Sequence, residues 1–243
     1  MYESISGKPL TLKIAILTIT AAAAASASVI EITSQASLSP NDSIGWGQLG
    51  PAFTALTSPQ SVTSVNNLSA TISTTGPNGL IRYDEGDGYG ENFTSGDQLI
   101  SQGGNDSGPY TITFASPVFG AGAYIAADTS FMSGTAFTVD IQAFNGATSL
   151  GTFSENGNDT FVEGTAIFLG VLDTNQEITS IVFSWPGGND VFPIDTLQLQ
   201  DATAVPEPGS FVMLAAGLLT AGISLVARRR RPAIHGRTRR SSN

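Results

Sequence analysis

The 243-residue sequence contains no cysteine, and its one histidine, His235, stands close to the C-terminus. Without thiolate or imidazole, the stretch before it cannot assemble a Ser-His-Asp or Cys-His nucleophilic site, nor an ordinary zinc site. Lysine is missing after Lys13, so a Ser-Lys dyad is excluded as well. Basic side chains are almost absent from the middle of the chain. Of the twenty acidic residues all but Glu3 and Glu207 lie between Ser28 and Ala204, where Arg82 is the one base. Eighteen acids against one base make that stretch −17, a balance hidden by the whole-chain value of −10. Such a surface repels phosphate backbones and anionic headgroups, so nucleic acid is not an expected partner. With no disulfide available, about 177 residues from Ser28 to Ala204 must be held by an apolar core, with metal ions as the one supplement. That length suits a single domain.

Helical periodicity is also missing from this stretch. Instead, apolar and polar residues alternate over short runs separated by Gly, Asn, Asp and Pro. The clearest is Ala136–Phe144, where Phe137, Val139, Ile141 and Ala143 share one face, opposite Thr138, Asp140 and Gln142. Asn145-Gly146 supplies the turn chemistry of a hairpin, and Ser149–Phe153 returns. Further strands are expected at Val29–Thr33, within Val62–Ser73, at Tyr110–Phe114, Gly120–Ala127, Thr165–Val171, Ile178–Trp185 and Phe192–Leu199. Thr74–Gly90 reads as loop. The fold class that follows is all-β, an antiparallel sandwich or barrel.

The two ends carry a different grammar. Lys8 and Lys13 precede the apolar run Ile14–Ala25, and Ala25-Ser26-Ala27 fits a signal-peptidase site, so residues 1–27 read as a secretory signal peptide. At the other end stand Pro206-Glu207-Pro208, an uncharged run from Ser210 to Ala227, and Arg228, Arg229, Arg230 and Arg231. Eighteen residues at about 1.5 Å each reach roughly 27 Å, close to the hydrocarbon thickness of a bilayer. A helix satisfies its own amides in lipid, so a transmembrane helix is expected there, with the arginines retained on the cytoplasmic side. Pro232–Asn243 is a basic tail expected to be disordered.

This tripartite end, VPEPGSFVMLAAGLLTAGISLVARRRR, resembles the PEP-CTERM sorting signal of exported bacterial proteins. The resemblance implies that residues 205–231 are a sorting and anchor segment addressed to an exosortase, with Pro206, Glu207 and Pro208 as the processing address. It also implies the secretion machinery and the inner membrane as transient partners, and a final place at the cell surface or in a biofilm matrix with exopolysaccharide. The phrases SPVFGAGAYIAAD, FTVDIQAFNGATSLGTF, AIFLGVLD, ITSIVFSW and FPIDTLQL resemble a β-sandwich module found ahead of such tags, which implies a jelly-roll-like domain over residues 28–204.

For chemistry within that domain three options stand. Hard cations take carboxylate, amide and carbonyl oxygens, so a structural calcium is the candidate cofactor. Its candidate loops are Asp84–Asp87 with Glu91, Gly103–Asp106, Asn156–Asp159 and Gly187–Asp190, and its candidate ligands are Asp128, Asp190 and Asp195. Asp195 follows Ile194 in a run expected to be buried, where a carboxylate needs a cation or donors. Aromatic rings suit the apolar faces of pyranoses, making Trp46, Tyr83, Tyr89 and Tyr110 candidates for stacking on a glycan. Paired carboxylates of the glycosidase kind are the remaining enzymatic option, and no pair is singled out. Five Asn-x-Ser/Thr sequons, at Asn41, Asn67, Asn92, Asn105 and Asn158, are assigned no role. The expectation is therefore a non-catalytic exported protein whose sandwich binds glycan or serves as a structural module, with a calcium-stabilised adhesive protein as the alternative.

Overall fold

A computed structural model describes residues 29–90, 92–104, 108–127, 134–186 and 191–202. The expected signal peptide, the Pro-Glu-Pro turn, the apolar run and the arginine block lie outside the described residues. Among the described residues no helix is long and apolar enough to cross a membrane.

The described residues form fifteen strands, in chain order: β1 (Ile30–Ile32), β2 (Asp42–Ile44), β3 (Thr54–Leu56), β4 (Gln60–Thr63), β5 (Ser69–Thr74), β6 (Leu80–Glu85), β7 (Gly88–Tyr89), β8 (Gln98–Gln102), β9 (Tyr110–Val118), β10 (Gly120–Ile125), β11 (Ala136–Asn145), β12 (Thr148–Asn158), β13 (Ile167–Leu172), β14 (Ile178–Ser184) and β15 (Leu197–Gln200). One sheet has the order β1-β13-β10-β15-β2 and the other β12-β11-β14-β9-β5-β4. A smaller sheet joins β3, β6 and β7, with β8 also on β6. Ile194 bridges it to the first sheet, pairing with both Ile100 and Ile125. Every pairing is antiparallel except β6 with β7. The core lies between the layers. Ala121, Ala123, Ile125, Leu169, Val171, Leu197 and Leu199 meet Ile112, Phe114, Val139, Ile141, Ile181 and Phe183 from the opposite sheet. The expected antiparallel sandwich is what these residues form.

Period-two alternation accounts for the best-anticipated strand. Phe137, Val139, Ile141 and Ala143 are buried along β11 while their neighbours are not. The hairpin turn differs by one residue from expectation. Asn145 pairs with Thr148, so Gly146 and Ala147 are the central residues, with Gly146 alone taking positive φ, at 57°. Glycine in the first central position is the mark of a type II′ turn. Asn156–Asn158 lies within β12, so that candidate calcium loop is strand. Thr74–Gly90, expected as loop, contains β6. Its Leu80 and Arg82 face inward through pairing with Gln102 and Ile100, and the polar composition of Arg-Tyr-Asp-Glu masks the strand. Between Ser34 and Ser39 a single helical turn, α1 (Gln35–Leu38), sets Leu38 against the outer face of the first sheet.

On β10 the outward positions are Gly120, Gly122 and Tyr124, alternating with the inward Ala121, Ala123 and Ile125. Gly122 pairs directly with Gly170, and a Cβ on Gly122 would lie 2.7 Å from the Gly170 Cα and 2.8 Å from the Phe168 ring. These two glycines let the Phe168 ring lie across the strands, edge-to-face with Tyr124 at 5.2 Å between ring centres.

Candidate functional site

Beside Tyr124 the outer face opens into a cleft of about 350 Å³, lined by Gln35, Asn92, Phe93, Thr94, Asp97, Tyr124, Gly164, Ala166 and Asp195. Five separate stretches of chain build it. Tyr124 arrives on β10, and its carbonyl accepts a hydrogen bond from the Asp195 N–H at 3.0 Å. Ile194 occupies the inner side of the same segment at 0% exposure, so the next residue, Asp195, turns outward. Two contacts hold it there: the Trp46 indole N–H donates to the Asp195 carbonyl at 2.9 Å, and the Thr196 N–H donates to the Asp195 carboxylate. Asp97 closes a turn in which the Thr94 N–H donates to its carboxylate at 2.8 Å, and the Asp97 N–H returns a bond to Thr94 at 2.9 Å. Its carbonyl accepts from the Glu85 N–H at 2.9 Å.

One wall is held by Asn92, fully buried with φ of 53°. Its side-chain amide donates to the Asn158 carbonyl and the Thr165 hydroxyl, both at 2.9 Å, and accepts from the Thr160 N–H at 3.0 Å. Its carbonyl accepts from Thr165 and Ala166. The loop between β12 and β13 is thereby locked, with Phe161 and Val162 exposed on it.

The electrostatics of the cleft are unusual. Burial pushes the Asp195 carboxyl up to about 6, and the nearby Asp97 charge adds to that rise against the lowering by Thr196. The cleft thus offers two carboxylates, one of them easily protonated, along with an aromatic ring and an amide. Carboxylates accept hydrogen bonds from hydroxyls strongly, and a ring edge beside them suits a polyol with one apolar face.

The candidates from sequence fare differently. Trp46 and Tyr110 are fully buried in the core, which removes them as stacking surfaces. The Tyr110 hydroxyl donates to the Phe192 carbonyl at 3.0 Å, and burial raises its phenol well above the usual range. An aromatic ring flanked by strand residues goes inward when its one polar atom finds a partner there. Tyr83 is half-buried on the outer face, edge-to-face with Phe53 at 5.6 Å. Tyr89 is placed in β7 by its backbone. Asp195 reaches the cleft, whereas Asp128 and Asp190 lie outside the described residues, as does Glu91. Asp84 pairs with the buried Arg82 at 2.6 Å. Among the described residues no three acidic side chains converge to hold a metal. Residues that the sequence reading passed over are Asp97, Asn92, Tyr124 and Gln35. The one signal for Tyr124 was its place as the single bulky ring among small residues in Gly120–Ala127.

Residues 204–231 match the family model of the PEP-CTERM protein-sorting motif. No curated protein matches the chain. Two variants of CBM29-2, a family 29 carbohydrate binding module, align at 17% identity over 57% and 54% of this chain and 99% and 92% of theirs, with TM-scores of 0.27 and 0.26. TmCBM61, solved in complex with beta-1,4-galactotriose, aligns at 11% identity over 54% of this chain and 88% of its own, with a TM-score of 0.25. At scores of this size nothing rests on the alignments, and the sandwich stands on its own register and core.

Proposed function

We propose that the chain is an exported bacterial surface or matrix protein, delivered by exosortase sorting, whose sandwich is a non-catalytic glycan-binding module. The observation that carries the sorting half is the match of residues 204–231 to the PEP-CTERM motif. In this reading the secretion machinery exports residues 28–204, and Ser210–Ala227 anchors the precursor transiently in the inner membrane. Arg228–Arg231 hold the cytoplasmic end, and the exosortase acts near Pro206-Glu207-Pro208. Replacing Pro206, Glu207 and Pro208 by alanine is expected to leave the tail attached and the protein in the inner-membrane fraction. Normal release of that variant overturns the assignment.

The glycan half is supported by the cleft of Asp97, Asp195 and Tyr124, which supplies hydroxyl acceptors next to a ring. The surrounding acidity favours a neutral polymer over a charged one. Exopolysaccharide of the producing cell is the proposed ligand. Saturable retardation of the full chain, in a nonionic detergent, by that polysaccharide is the expected result. Absence of retardation from folded protein leaves a structural or adhesive role in its place.

A further inference from the structure

We infer that Phe53 and Tyr83 form a stacking surface outside this cleft, against which a pyranose ring of a neutral glycan packs while Asp97 and Asp195 take hydroxyls further along the same chain. The inference rests on the glycan reading and adds to it a second subsite on a different strand pair.

Phe53 is 58% exposed, and its backbone is held at φ of 65°. The Thr54 N–H closes a turn onto the Pro51 carbonyl at 3.3 Å, placing Phe53 at the third position. That is where glycine or asparagine fits, because a Cβ there crowds the backbone. The Phe53 N–H donates to the Arg82 carbonyl at 2.7 Å, which ties the strained residue to β6. A bulky aromatic kept in this region, in solvent, gains nothing from core burial to offset the strain; such outliers gather at functional sites.

The ring is also oriented. Tyr83 meets it edge-to-face, with planes at 83° and centres 5.6 Å apart, so the two rings form a right-angled step. Tyr83 in turn packs on the small cluster of Phe93, Leu99 and Ala126, on which Tyr124 also packs. One apolar cluster therefore underlies both the aromatic step and the carboxylate cleft. Charge selects the occupant. Arg82, the one base between Ser28 and Ala204, is 2% exposed and turned inward, so nothing cationic on this face would attract a uronate or sulfated polymer.

The test is affinity electrophoresis of the full chain in a nonionic detergent through gels holding a β-glucan, a mannan, a galactan or polygalacturonate. The variants are Phe53→Gly, Phe53→Trp and Tyr83→Ala. Phe53→Gly relieves the backbone strain, so it is expected to lose no resistance to urea, while its affinity for the retarding neutral polymer falls about tenfold or more. Phe53→Trp is expected to retain retardation, and polygalacturonate to give none. If wild-type protein is retarded and Phe53→Gly is retarded equally, the stacking surface is overturned and the glycan reading stands. If folded wild-type protein is retarded by none of the neutral polymers, the stacking surface is overturned, and retardation by the producing cell's exopolysaccharide decides the glycan reading. Retardation strongest on polygalacturonate overturns the choice of occupant.

Discussion

Replacing Asp195 by asparagine should stabilise the protein at alkaline pH and do little in acid. In the folded chain the carboxyl titrates near 6, against 3.8 for the ordinary side chain, chiefly because burial disfavours the charge and Asp97 repels it. Between those two values the folded state keeps a proton that the unfolded chain releases. Stability therefore falls as pH rises through this window, and the full penalty is present above the folded value. A separation of about two pH units corresponds to about 3 kcal/mol at pH 8 and to roughly 0.5 kcal/mol at pH 4, with partial exposure of the carboxyl making both upper bounds. Asparagine keeps an oxygen for the Thr196 N–H and cannot ionise. Urea unfolding of the full chain in a nonionic detergent, followed by the emission of its two tryptophans, measures both proteins at both pH values. The expected gain for Asp195→Asn is about 2–3 kcal/mol at pH 8, shrinking to a few tenths at pH 4. An equal gain at both pH values, or a loss at pH 8, refutes the argument that this charge is buried at a cost. A protein that keeps such a charge sacrifices stability for an acceptor in the cleft, so the same variant should also bind glycan more weakly.

Other outcomes follow from the packing. Asn92→Ala removes side-chain bonds to Asn158, Thr160 and Thr165, and should cost about 3 kcal/mol at about 1 kcal/mol each. Hydrogen exchange should quicken first at the Gly164, Thr165 and Ala166 amides. Gly122→Ala drives a methyl into Gly170 and the Phe168 ring and should lower the unfolding free energy in urea by about 1–3 kcal/mol. For the ion pair of buried Arg82 with the partly exposed Asp84, Asp84→Ala strands the Arg82 guanidinium, whose Nε and Nη1 have no hydrogen-bond partner among the described residues, and should destabilise by about 3 kcal/mol. Adding Arg82→Met to Asp84→Ala, which removes the stranded charge as well, should recover the loss and be neutral or stabilising against wild type in the same unfolding assay.

The sheet register explains why the cleft was only partly legible beforehand. Asp195 drew attention as a carboxylate next to Ile194, and in the structure Ile194 is buried while Asp195 lines the cleft. Its partner Asp97 lies almost a hundred residues away, and a turn closed by Thr94 brings it alongside. Trp46 and Tyr110 show the opposite limit. Their residue types suit a glycan surface and a core equally well, and hydrogen bonds to Asp195 and Phe192 from distant parts of the chain draw them inside. Phe53 could not be found by pattern at all, since its signal is a backbone angle.

What the chain determined by itself is whatever depends on neighbours in sequence. Alternation settles β11 because a strand's faces repeat every two residues, and the sorting motif of residues 204–231 is a linear signal that needs no folded context to be read. The absence of cysteine and the single histidine likewise close off whole chemistries from composition alone. What only the tertiary structure decided is convergence: the meeting of Gln35, Asn92, Asp97, Tyr124 and Asp195, and the turning of Phe53 outward and Arg82 inward. Those placements follow from which strands pair and in what register, a choice made by burying the whole apolar core at once, and no short window of sequence contains it.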